Sequence, residues 1–135
     1  MSRYPQSDRV EDFRKINTEL TERLHEKAYL NAYTYYKTGK YKSAIVAFKN
    51  ALKQYPESKR REEIMYLIVD SGYRLASNSI SEKQTDRYLS MLDSYLSFKE
   101  EFPESKYTKE VDRMAKHARD YLDRNKKDED KDNNI

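Results

Sequence analysis

Ala28–Ser58 reads AYLNAYTYYKTGKYKSAIVAFKNALKQYPES, and its punctuation decides the fold. Small residues recur at Ala28, Ala32, Ala44 and Ala51 with Tyr35 and Phe48 beside them, a spacing that lets two helices cross closely and lock with aromatic rings. Gly39 is placed as the C′ residue of the first helix, with Lys37 in its last turn where a cation suits the helix dipole. Tyr55-Pro56-Glu57-Ser58 closes the second helix, because proline disfavours helix for its predecessor and serine two residues on is a preferred cap. The same punctuation recurs as Tyr4-Pro5-Gln6-Ser7 and Phe102-Pro103-Glu104-Ser105, so the chain is built from repeated helical units.

Working outward, Val10, Phe13, Leu20, Leu24, Ala28, Ala32 and Tyr35 keep a helical spacing, broken only by Asn17, and predict one long helix from Ser7 to Thr38. A second runs from Tyr41 to Tyr55 with Ala44, Phe48, Ala51 and Leu52 inward. The third, Lys59 to Asn78, is apolar on two faces, Ile64, Leu67, Ile68 and Leu75 on one and Tyr66, Val69 and Tyr73 on the other, which predicts a sandwiched helix. Gly72 within it suggests a close crossing. A polar connection is expected over Ser77–Thr85, then a fourth helix through Tyr88, Leu92, Tyr95 and Leu96 to Phe102. The fifth, Ser105 to about Arg124, carries one apolar stripe and reads as a capping helix. Residues 125–135, NKKDEDKDNNI, predict a disordered charged tail.

Composition agrees with an all-α class. The 135 residues contain two glycines and three prolines, too little turn chemistry for a many-stranded sheet. Leu, Ile, Val and Phe supply only about 18% of the chain, but a net charge of +3 and thirteen tyrosines argue for a folded, tyrosine-rich core. With no cysteine, the redox compartment is unreadable.

The spacing from Ala28 to Pro56 resembles the tetratricopeptide repeat. Aligning Pro103 with Pro56 puts Tyr95 at the place of Phe48 and makes the second unit about 13 residues longer than that 34-residue repeat, the excess expected at Ser77–Thr85. The architecture expected is a tetratricopeptide-like solenoid of about five helices over residues 8–124, with residues 1–7 as the tail of a preceding repeat. AYTYYKTGKYKSAIVAFKNALKQYPES (Ala32–Ser58) and YRLASNSISEKQTDRYLSMLDSYLSFKEEFPESKYTKE (Tyr73–Glu110) further resemble the C-terminal half of the BamD family of outer-membrane assembly lipoproteins. The resemblance implies a piece of a longer protein tethered by an N-terminal lipid at the periplasmic face of the outer membrane. It also implies a scaffold whose C-terminal repeats dock on the POTRA region of the barrel-forming subunit BamA, with other subunits of the machinery as further candidate partners. In that family the N-terminal repeats receive unfolded barrel substrates.

Lys37 to Arg61 carries eight cationic side chains against one carboxylate, Glu57. A basic face over the first hairpin would attract an acidic protein surface. Lys42, Val46, Lys49, Asn50 and Lys53 share one sector of the second helix and are the candidate partner-binding residues. Nucleic acid is disfavoured, because Tyr41 and Tyr55 occupy packing positions and net charge is small. His25 and His117, the only histidines, sit in no ligand spacing, and neighbouring carboxylates such as Glu62 and Glu63 point apart on a helix. The sequence therefore predicts no enzyme, no cofactor and no metal. Rival readings are another tetratricopeptide adaptor, either a periplasmic cell-envelope coordinator or a co-chaperone that clamps a carboxylate with Lys27 and Asn31.

Overall fold

The computed structural model describes the backbone of residues 5–133 and the side chains of residues 8–133. Five helices follow in order: α1 (Pro5–Lys37), α2 (Tyr41–Gln54), α3 (Arg61–Ser77), α4 (Ser81–Glu101) and α5 (Thr108–Asn133). The helices α1 and α2 form one hairpin and α3 and α4 the next. α5 packs over the second. The architecture is a tetratricopeptide-like helical solenoid.

The turns follow from their sequences. Gly39, at φ 78°, lets the chain leave α1 through a Schellman motif in which Lys40 N donates to Tyr35 O (2.9 Å) and Gly39 N to Tyr36 O (3.1 Å). The two proline turns repeat one hydrogen-bond pattern. Ser58 N donates to Tyr55 O and Ser105 N to Phe102 O. Each serine hydroxyl then accepts from the amide two residues on, Arg60 N at 3.2 Å and Tyr107 N at 3.1 Å. The serines thus build a side-chain turn just ahead of α3 and α5.

Two core clusters share α3, as its two apolar faces require. Tyr29, Ala32, Ala44, Phe48, Ile64, Leu67 and Ile68 join α1, α2 and α3. Val69, Ala76, Tyr88, Met91, Tyr95, Phe98, Val111, Met114, Ala115 and Ala118 join α3, α4 and α5. Gly72 is the close crossing: a Cβ there would lie 3.3 Å from Met91 Cβ. Polar contacts run between α1 and α3 at a constant separation of 34 residues, from Glu26 to Arg60, Tyr29 to Glu63 and Tyr36 to Asp70. Parallel helices in fixed register produce that constancy.

Four expectations change. The connection between α3 and α4 is only residues 78–80, not Ser77–Thr85, so the extra length of the second unit lies in its helices. Side chains close this short link: Ser79 Oγ donates to Leu75 O (2.5 Å) and Gln84 Nε2 to Ala76 O (3.1 Å), satisfying end carbonyls of α3. Tyr35, expected in the repeat packing, is 36% exposed, while Tyr29 at 5% fills the core in its place. The core face of α1 passes through Tyr29, Ala32 and Tyr36, which turns Tyr35 toward the open side. Helix α5 continues to Asn133, across the segment expected to be disordered. A docked helix propagates cheaply once nucleated, and Lys126, Lys127 and Lys131 stand three or four residues from Glu129, Asp130 and Asp128. The expected boundary at residue 7 falls inside α1, where Pro5 supplies a φ suited to a first helical turn. Residues 1–4, 134 and 135 lie outside the described part.

Candidate protein-docking surface

The basic stretch divides in two once its partners are placed. At its end, Lys59 pairs with Glu22 (2.9 Å) and Arg61 with Glu101 (2.7 Å). Arg60 forks onto Glu26 through Nε and NH2 at 2.7 and 2.8 Å and reaches Glu63 with NH1 at 2.9 Å, while its guanidinium lies 4.2 Å from the centre of the Tyr29 ring. That fork holds the Glu26 carboxyl below its ordinary range. Lys59 and Arg60 tie the start of the second hairpin to α1, and Arg61 ties α3 to α4 within it. Lys37, Lys40, Lys42, Lys49 and Lys53 make no salt bridge among the described residues, so the uncompensated charge concentrates on the α1–α2 turn and on α2.

An open groove of about 710 Å³ runs between α1 and α2 on the side away from α3. Leu24, Ala28, Val46 and Ala47 make its apolar floor and Lys27, Asn31, Lys42 and Asn50 its polar walls. No acidic residue lines it. Asn31 and Asn50 make no side-chain hydrogen bond among the described residues. Of the five residues predicted from sequence, Lys42, Val46 and Asn50 line this groove. Lys49 does not: it faces α4 beside Leu52, Asp93 and Ser94. Lys53 is exposed between them. The predicted sector is therefore split, because α3 packs along one flank of α2 and opens a cleft there toward α4. Lys27, Asn31 and Ala28 come into the groove from α1. Ala28 thus serves as groove floor, half-buried, while Ala32, Ala44 and Phe48 are fully buried and Ala51 and Tyr95 nearly so.

Val10, Phe13, Leu20 and Leu24, each about half or more exposed, continue the same face of α1 outward from the groove. The apolar surface is therefore a strip along α1. Elsewhere, His25 leans on Tyr55 at 4.5 Å between ring centres and His117 shares a 2.8 Å hydrogen bond with Tyr73. Among the described residues no three His, Cys, Asp or Glu gather as a metal set.

The fold and this surface define a helical-hairpin solenoid that presents an open, basic, partly apolar face among the described residues. The family described as YfiO, outer membrane lipoprotein, matches residues 1–127. The chain belongs to that family. No curated protein matches it. No described helix is long and apolar enough to cross a membrane.

Proposed function

We propose that this chain is a non-catalytic docking scaffold of the outer-membrane β-barrel assembly machinery, acting at the periplasmic face and seating the POTRA region of BamA on its first hairpin. Membership of an outer-membrane lipoprotein family supports the setting. The observation that carries the site is the division of the basic stretch: Lys59, Arg60 and Arg61 are neutralised within the fold, and the lysines of α2 are left facing solvent. Uncompensated like charges on a rigid surface raise the association rate with an acidic partner and restrict its orientation. Packing of α2 between α1 and α3 keeps those lysines preorganised, which lowers the ordering cost of association.

Titration calorimetry against the membrane-proximal POTRA domain of the cognate BamA tests the proposal. Binding that weakens with salt and is lost in Lys49→Glu combined with Lys53→Glu is expected. A folded chain that leaves the POTRA domain unbound at high concentration overturns it.

A further inference from the structure

The two hairpins of the solenoid present matching faces, and among the described residues only the face on α3 is covered. Aligning the proline turns sets Met91 at the place of Ala44 and Leu89, Asp93 and Ser97 at the places of Lys42, Val46 and Asn50. Gly72, which crosses Met91, then stands at the place of Ala32. Counting along the helices, Ile64, Leu67, Ile68 and Ser71 of α3 correspond to Leu24, Lys27, Ala28 and Asn31 of α1. In the second hairpin those four residues are buried, at 1%, 5%, 6% and 0% exposure, and Ile64, Leu67 and Ile68 share a core cluster with Phe48 of α2. Lys49 and Leu52 of α2 line an open cleft with Ile68, Asp93, Ser94 and Ser97, and Leu89, Asp93 and Ser97 of α4 stay exposed. In the first hairpin the corresponding residues line the open groove, and Leu24 is 51% exposed. What α2 does for this face of α3, nothing among the described residues does for the matching face of α1.

The substitutions between the two sockets state the chemistry of the occupant. Leu67, buried against α2, is replaced by Lys27, and Leu89, exposed on α4, by Lys42, so two positions that are apolar in the second hairpin are cationic in the first. Ile68 gives way to Ala28, which deepens the floor, and Asp93 to Val46, which makes it more apolar. A helix laid here needs an apolar ridge against Leu24, Ala28 and Val46 and carboxylates at its flanks. The lysines and asparagines also make this face wettable, unlike the leucine and isoleucine of the permanent α2–α3 contact, which suits a partner that comes and goes. We propose that the α1–α2 groove is the socket for an amphipathic helix of a separate partner protein, apolar along one face and flanked by Asp or Glu, laid on α1 as α2 is laid on α3. The proposal deepens the docking reading by naming the shape and charge of the bound element, and it rests on that reading only in placing the site on the first hairpin.

Two synthetic peptides of about 18 residues test it, with leucines at identical helical spacing and flanks of glutamate in one and lysine in the other. Fluorescence anisotropy and circular dichroism follow binding to the intact chain. The glutamate peptide is expected to bind and gain helix, and the lysine peptide to bind at least about tenfold more weakly. Lys27→Glu with Lys42→Glu should reverse the preference, and Val46→Asp should weaken the glutamate peptide while leaving the melting curve unchanged, since both lysines and Val46 are exposed. Equal binding of a scrambled acidic peptide would reduce the groove to a carboxylate site and overturn the proposal. So would the absence of binding by either peptide, or sedimentation showing that a second copy fills the groove until Val46→Asp releases it. Capture of the glutamate peptide alongside failure of the POTRA domain would remove BamA as partner and leave the socket.

Discussion

Tyr36 donates its hydroxyl to Asp70 Oδ2 at 2.5 Å, across the interface between α1 and α3. The Asp70 side chain is 3% exposed and takes a second donor, Arg74 Nε, at 2.8 Å. A buried carboxylate persists only when its lone pairs are satisfied. Tyr36→Phe should therefore destabilise the chain by about 1–3 kcal/mol, because it strips one donor from Asp70 without removing the charge. Urea unfolding of Tyr36→Phe, of Asp70→Asn and of the two combined checks the assignment: Asp70→Asn should cost less when Tyr36→Phe is already present than it does alone.

Burial, with a carboxylate as neighbour, raises the phenol pKa values of Tyr29, Tyr36 and Tyr95 above their ordinary 10.0. The unfolded tyrosines lose their protons first, so the unfolded state binds fewer protons there and stability falls as pH rises from about 10. An alkaline series of urea midpoints should show that decline, and Tyr36→Phe should make it shallower.

The acid side has the opposite sign. Asp112 is held below its ordinary 3.8 by the Tyr95 hydroxyl and then by Lys99, and Glu26 below 4.5 by Arg60. These carboxylates stabilise the fold above their unfolded pKa values, and that contribution disappears as pH falls through the folded ones. Stability should decline below about pH 4.5. Asp112→Asn should flatten the decline, which acid titration of the thermal midpoint would reveal.

Phe48 has no exposed surface and joins α1, α2 and α3. Phe48→Ala should cost about 3–5 kcal/mol and unfold much of the population, seen as loss of helical signal at ambient temperature. Tyr95→Phe separates packing from bonding in the second hairpin. It keeps the ring and loses only the 2.6 Å bond to Asp112 Oδ1, so the cost should be near 1 kcal/mol.

Gly72→Val should destabilise by about 1–3 kcal/mol, because even its Cβ meets Met91 Cβ at 3.3 Å. Pairing it with Met91→Ala, which keeps that Cβ but removes the Cγ lying 3.6 Å from a Cβ at position 72, should recover part of the loss in the same urea assay.

The fold was legible because its determinants are local. Glycine at a C′ position, proline after an aromatic and small residues at crossing points act through the chain beside them. What escaped depends on residues far away. Asp70 looks like a surface residue on a helix until Tyr36, 34 positions earlier, is placed on it. Gln84 reads as loop until its amide is found on the Ala76 carbonyl. The docking sector was legible as charge along α2 but not as shape: nothing in the stretch shows that α3 and α4 take Lys49 to one side, or that α1 brings Lys27 and Asn31 to the other.

The constant offset between α1 and α3 limits how the solenoid can move. A slide of one turn would set Glu26 against Ile64, Tyr29 against Leu67 and Tyr36 against Arg74, so all three bonds would fail together. The hairpins are keyed against sliding, and strain passed along this scaffold is carried by both of them together.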